Sequence, residues 1–344
     1  MLVTLVDDSI PFNGSTPSFQ PLGGPEKAFA SLPGALSRRG HVVRAFNRSP
    51  HSMGIENVSW INWEGRKPPI TEVLIAFRKP TLLEFTRAVS ARVLWVAGHA
   101  GYLNTQAAAD MLSRTSAKIV FSADAQRKTF KPNSQIRLHT IQPAVRDEYR
   151  NAGPMDAKCK KPTAVVTAHP KHGLDWAVTL WVEKIRPRLP DGELQVYSTS
   201  LHKAQEDPAK VPDELKEILA LVTKAASSGV VIKAPRGDVD MASNYRYARV
   251  HLYPSVEQDL MASTLLESQA VGVPAVCRPL GAVGERIVDG QTGYLAATDE
   301  AFVDHAVRLL TEDSAFDTVS GAARAHGRRR SWDSVAGEFE SVFR

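Results

Sequence analysis

Residues 253–295 read YPSVEQDLMASTLLESQAVGVPAVCRPLGAVGERIVDGQTGYL, a strand end, a helix and a second strand in close succession. Ser263 and Thr264 stand where residues that cap a helix stand, at the head of the apolar stretch 262–271. Gly272 and Pro274 stop that helix and turn the chain into a short apolar strand at 275–277. A further turn from Gly281 to Gly284 leads to Glu285. Asp259 and Glu267 lie eight positions apart, one before the helix and one inside it. The amides at a helix start form an anion site, and a carboxylate beside them accepts hydrogen bonds from sugar hydroxyls. The arrangement suits a sugar phosphate. On spacing alone, a capped helix with surface acids fits it equally well.

Outward from this run, short apolar segments alternate with amphipathic ones along the whole chain. In the first half the expected strands are 2–6, 42–46, 72–76, 92–96, 118–121 and 137–141, with helices at 26–39 and 105–114. In the second half the strands are 163–167, 193–198, 230–233, 250–253 and 275–277. The helices there are 174–188, 213–226, 241–248, 262–271 and 301–310. Strands alternating with helices predict parallel sheets covered on both faces, here twice over. The segment GPMDAKCKKP, 153–162, reads as the linker. The expectation is therefore α/β: two doubly wound domains facing a cleft, 1–152 and 163–330, with loops at the carboxyl ends of both sets of strands.

At 344 residues the chain is long enough for about two domains of ~150 residues each. With 43% hydrophobic and 23% charged residues it reads as globular, neither disordered nor collagenous. Its two cysteines, Cys159 and Cys277, make neither a disulfide scaffold nor a four-cysteine zinc site, and fit a reducing compartment. The start, MLVTLVDDSIP, has no basic leader, and no apolar run approaches the ~18 residues of a membrane span. A cytoplasmic location is expected. Residues 1–150 hold 19 Lys and Arg against 11 Asp and Glu, so the net charge of +5 is concentrated in the first half. Such a half suits an anionic partner or a solvated basic surface.

Several signatures are absent: GxGxxG after a strand, a Gly-Lys P-loop, a GxSxG elbow and HExxH. Asp238-Val239-Asp240 precedes a helix and is expected to cap it rather than to hold a metal. His169 and His172 share one turn without Cys or carboxylate neighbours, so no metal is assigned. RAHGRRR, 324–330, suits peripheral contact with an anionic membrane surface or a solvated connection. The helix 26–39 is expected to be interrupted at Pro33. No aromatic-interleaved basic patch or helix-turn-helix pattern points to nucleic acid.

Asp259, Glu267, Ala270, Gly272, Pro274, Glu285, Asp289, Gly290, Thr292 and Gly293 together form a pattern that resembles the signature of group 1 (family 4) retaining glycosyltransferases of the GT-B fold. The likeness extends more weakly to LGGPEKAFASLPGALSRRGHVV at 22–43, LWVAGHAGYL at 94–103 and the final segment 331–343. The resemblance implies two Rossmann-like domains, with the C-terminal helix 331–344 packing back on the first. It implies a donor site in which Glu267 holds the ribose of a nucleoside-diphosphate sugar, UDP or GDP. Asp259 would bind hydroxyls of the transferred sugar, and the amides of Met261, Ala262, Ser263, Thr264 and Leu265 would meet sugar and phosphate. Gly23 and Gly24 would let a loop approach the diphosphate, and His99 would lie near the reacting sugar.

The chain departs from that pattern. Asp259 stands where the family usually has Glu. The turn after the first strand of the second domain reads TAHPKHGLD, so its cations reduce to Lys171 and His172. His172 is only partly charged near neutral pH. The resemblance implies transfer of a hexosyl group to an acceptor hydroxyl with retention of configuration, without metal or cofactor, in cell-envelope or exopolysaccharide synthesis. Domain closure would exclude water from the reaction. A sugar-nucleotide-binding protein with weakened catalysis and an epimerase of the same fold are the alternatives.

Overall fold

The computed structural model describes residues 1–132, 136–157 and 161–344. The chain divides into two compact units, Met1–Arg146 with Arg330–Arg344, and Asp147–Arg329. Of the expected linker 153–162, Cys159 and its two neighbours lie outside the described residues. Its first part is tied into the second unit: Arg246 donates to Pro154 O at 2.7 Å, and Asp156 N donates to Arg246 O at 2.8 Å.

In the first unit the order is β1 (Leu2–Val6), α1 (Thr16–Phe19), α2 (Gly24–Arg38), β2 (Val42–Asn47), β3 (Met53–Ile55), β4 (Val58–Asn62), β5 (Ile70–Phe77), β6 (Ala88–Trp95), α3 (Gln106–Thr115), β7 (Lys118–Phe121), α4 (Asp124–Arg127) and β8 (Leu138–Thr140). The sheet runs β3-β4-β2-β1-β5-β6-β7-β8, parallel except for the β3–β4 pair. Strand order reverses between β1 and β5, which makes their carboxyl ends the natural ligand crevice of this unit. The sequence reading omits the β3–β4 hairpin. Its turn puts Glu56 and Asn57 at φ of 51° and 59° without a glycine, so the usual turn signal is missing.

Pro33 does not interrupt α2, which runs through it. Phe29, Leu32, Ala35 and Leu36 are fully buried, and this packing outweighs the one backbone hydrogen bond that proline removes. The C-terminal helix Trp332–Phe343 belongs to this unit. It sets Phe339 against Trp95 at 5.1 Å between ring centroids. Glu340 accepts both Arg39 Nε and Nη2 at 2.7 Å, and lies 2.9 Å from His41 Nε2.

The second unit contains α5 (Asp147–Arg150), β9 (Thr163–Val166), α6 (Asp175–Leu180), β10 (Glu193–Tyr197), α7 (Thr199–Glu206), α8 (Asp213–Lys224), β11 (Val230–Lys233), α9 (Asp238–Tyr245), β12 (Val250–Tyr253), α10 (Ser263–Val271), β13 (Ala275–Cys277), β14 (Gly293–Leu295), α11 (Asp299–Thr311) and α12 (Asp313–Gly327). Its sheet, β11-β10-β9-β12-β13-β14, is parallel throughout and reverses between β9 and β12. The predicted helix 174–188 keeps its α geometry only to Leu180, then widens and ends in a tight turn at Arg186–Arg188 around Pro187. The helices α5, α7 and α12 and the strand β14 are additional to the sequence reading. Among the described residues, no helix is long and apolar enough to cross a membrane.

Candidate functional site

In the second unit the expected site residues gather at the carboxyl ends of β9 and β12 and the start of α10. Asp259 Oδ1 accepts the amide of Ala262 at 2.9 Å, closing a turn ahead of the helix. Ala262 takes a left-handed conformation, φ 49°, and is itself the cap position. Ser263 and Thr264, expected as caps, are instead the first two helical residues, and no side chain caps α10. The amide of Ala262 is therefore spent within the protein. Those of Ser263, Thr264 and Leu265 open the helix, where N–H groups have no intrahelical acceptor. Gly281, at φ 62°, closes the turn from below: a Cβ there would lie 2.3 Å from Asp259 O. Met261 O accepts Nε of the buried Arg286 at 3.3 Å.

Asp259 Oδ2 accepts the hydroxyl of Tyr253, at the end of β12. Burial, and then the Asp259 charge, push the Tyr253 phenol well above its ordinary range. Beside it lies a neutral network. His251 is fully buried, with Nδ1 2.9 Å from Ser268 Oγ and Nε2 3.0 Å from Thr167 Oγ1. Thr167 Oγ1 also lies 2.7 Å from Thr264 Oγ1. One imidazole thus ties β9, β12 and both turns of α10 together, and burial lowers its pKa to about 3.

Glu267 is 6% exposed. Its charge adds to burial in raising the phenols of Tyr149 and Tyr245, which are fully buried around it. Tyr149 OH donates to Asp238 Oδ1 at 2.8 Å. That contact explains why Asp238 does not cap α9 as expected: its side chain is turned inward and Gly237 takes the cap position.

The turn after β9 carries His169 and His172, with ring centroids 4.9 Å apart. Burial first, then the neighbouring His172 and Lys171, hold the His169 pKa below its usual value. Gly173 at φ 78° brings this turn against Pro254. Lys171 pairs with Glu214 of α8 at 2.9 Å; both are exposed, so the pair holds Lys171 by no more than about 1 kcal/mol. The 324–330 cluster is drawn inward. Arg324 and Arg328 each donate to Ala152 O at 2.7 Å, and Arg330 pairs with Glu338 at 2.7 Å.

In the first unit Gly23 caps α2, and Gly24 opens it. A Cβ on Gly23 would lie 2.4 Å from Glu26 Oε2, so glycine is what leaves that carboxylate free to reach Arg78. Arg78 follows β5 at φ 70°, and Tyr102 OH donates to its carbonyl. Lys79 pairs with Asp8 at 2.8 Å. Asp7, at the end of β1, is fully buried and accepts Ser9 Oγ at 2.5 Å; burial raises its pKa. His99 is exposed at the end of the segment after β6, its Nδ1 accepting Gly101 N at 3.0 Å.

Sequence reasoning passed over His251, Tyr149, Tyr245, Asp7 and Arg78. Only His251 had a local signal: a histidine in the otherwise apolar strand VHLY.

A family model described as "Glycosyl transferases group 1" matches residues 163–312. Residues 163–312 of the second unit are thus similar to group 1 glycosyltransferases, and the chain has the GT-B fold of two Rossmann-like α/β units. The solved sucrose-phosphate synthase from Thermosynechococcus elongatus superposes with a TM-score of 0.75 at 14% identity, covering 99% of this chain and 98% of that one. HepE from Anabaena, solved with UDP and glucose, gives 0.71 at 12% identity, covering 99% and 98%. Among curated proteins, D-inositol 3-phosphate glycosyltransferase of Corynebacterium urealyticum is 28% identical over 137 residues, 39% of this chain and 31% of that one. The alignment thus spans about a third of that relative's length.

Proposed function

We propose that the chain transfers a hexosyl group from a nucleoside-diphosphate sugar, UDP or GDP, to an acceptor hydroxyl with retention at the anomeric carbon. The observation that carries this reading is the construction around α10. The buried Glu267 sits in its second turn, and Asp259 folds the residues ahead of it and takes the amide of Ala262, leaving at the helix start amides that have no intrahelical acceptor. Glu267 takes the ribose hydroxyls. Each Asp259 oxygen already accepts one hydrogen bond and keeps a second lone pair for a sugar hydroxyl. The amides of Ser263, Thr264 and Leu265, with Lys171 and His172, stabilise the departing diphosphate. In the first unit, His99 and the Gly23-Gly24 turn are assigned to the donor by the resemblance.

The bond from the anomeric carbon to the diphosphate breaks as the acceptor oxygen bonds to the same face, and the acceptor proton passes to the diphosphate. No protein nucleophile, metal or cofactor is assigned. The curated relatives are D-inositol 3-phosphate glycosyltransferases, which makes a phosphorylated polyol the first acceptor to assay. A cytoplasmic setting and a role in cell-envelope or exopolysaccharide synthesis complete the proposal. A sugar-nucleotide-binding protein with weak turnover is the second reading, favoured by the absence of an arginine from the turn 167–174.

The test is the thermal shift of wild type and Glu267→Ala with nucleoside diphosphates and their sugars. A ligand at about 100 times its Kd stabilises by ~2.7 kcal/mol. One base is expected to stabilise the wild type and not the variant, and His172→Arg is expected to bind the diphosphate about tenfold more tightly, ~1.4 kcal/mol. Equal shifts in wild type and Glu267→Ala, or none with any nucleotide, refute the donor site. Binding without product from a phosphorylated polyol or other acceptor supports the second reading.

A further inference from the structure

A polar cavity of about 600 Å³ lies on one face of β10 and β11, within the range of small-molecule sites. Glu193, Gln195 and Tyr197 alternate onto this face, while Leu194 and Val196 point into the apolar core with residues of α8. Strand register sets Thr163 beside Glu193 and Lys233 beside Tyr197, so both belong to the same face. Asn244 from α9 and Arg236 from the loop after β11 also line the cavity.

Charge is divided unevenly along the cavity. Glu193 is neutralised by Lys161 and also accepts Gln195 Nε2 at 2.7 Å. Gln195 Oε1 accepts Tyr197 OH at 3.0 Å. At the other end, Lys233 and Arg236 are exposed and enter no ion pair or side-chain hydrogen bond among the described residues. The one carboxylate among the described lining residues is thus committed to Lys161 and feels Lys233 only at a distance, both Lys233 and Arg236 are without a direct partner, and the amide of Gln195 and the phenol of Tyr197 lie between. From Gln195 to the level of Lys233 the strand rises ~7 Å, about the span of a hexose ring and its phosphate.

We propose that this cavity binds a small phosphorylated sugar or polyol, its phosphate on Lys233 and Arg236 and its hydroxyls against Gln195 and Asn244. The site is separate from the one proposed for the nucleotide sugar. The two are neighbours through Tyr245, which lies within electrostatic reach of both Glu267 and Tyr197.

Isothermal titration calorimetry of the full chain with glucose 6-phosphate, inositol 1-phosphate, inositol and inorganic phosphate tests this. The two phosphorylated compounds are expected to bind, with inositol and inorganic phosphate at least tenfold weaker. The double variant Lys233→Ala, Arg236→Ala should weaken phosphosugar binding at least tenfold with an unchanged circular dichroism spectrum. Glu267→Gln should bind as wild type does, and UDP should not compete. The proposal is overturned if phosphosugars do not bind, or if inorganic phosphate binds as tightly. It is also overturned if the double variant binds normally, or if UDP displaces the ligand, which would make the cavity part of the nucleotide site.

Discussion

The strand ends of the two units are built from opposite chemistry. In the first unit they are held by charges: Glu26 with Arg78, Asp8 with Lys79, and Glu340 with Arg39 nearer the C-terminal helix. In the second no cation takes part: the neutral imidazole of His251 lies between the hydroxyls of Thr167 and Ser268, and the phenol of Tyr253 donates to the Asp259 carboxylate. The difference teaches what each end tolerates. Ion pairs near water are individually weak and screened by salt. A buried network of hydroxyls and imidazole is insensitive to salt, but it fails when one member is removed or forced to take a proton.

The largest expected break in this contrast is His251→Ala. It leaves a cavity and removes a partner from both Thr167 and Ser268, and should cost about 3 kcal/mol. Amide hydrogen exchange should accelerate in β9 and β12 and stay unchanged in β1 and β5. Equal acceleration in both units would erase the distinction.

Acid is the next lever. His251 ordinarily titrates near 6.5, and in the folded protein near 3. Below pH ~6.5 the unfolded chain takes up a proton that the folded one refuses, so stability falls by about 1 kcal/mol per pH unit. Asp7 acts in the opposite sense: its raised pKa means the folded state holds its proton more firmly, which favours folding as pH falls. Urea unfolding of the second unit should therefore show a midpoint that declines from pH 6.5 to 5, with a shallower decline in His251→Gln. Parallel declines in wild type and variant would show that other groups govern the acid response.

The smallest effect belongs to Glu340→Gln. Its carboxyl is held down at about 2, by Arg39 first and by His41, against the opposing effect of burial. The loss of this pair should cost about 1 kcal/mol and free the C-terminal helix, with the difference from wild type shrinking in ~1 M salt. Exchange in the helix Trp332–Phe343 reads it, and a salt-independent difference would point to packing instead.

Much of this molecule follows from local pattern. The alternation of apolar runs and amphipathic segments specifies parallel sheets, because a strand buried on both faces must be apolar throughout and its crossover must be a helix. The Asp259–Glu267 spacing and the glycines around it mark the α10 region, because turns and helix stops are set by backbone conformation within a few residues. What the sequence could not settle lies in side chains whose partners are far away along the chain. Ser263 and Thr264 look like caps, but Asp259 reaches forward and makes Ala262 the cap. Asp238 looks like a cap, but Tyr149, 89 positions away, takes its carboxylate. Pro33 looks like a break, but the core holds the helix through it. Local propensity is worth about 1 kcal/mol or less at most positions, whereas burial and a satisfied buried hydrogen bond are each worth as much or more. Only the tertiary structure decides which of them a given residue obeys.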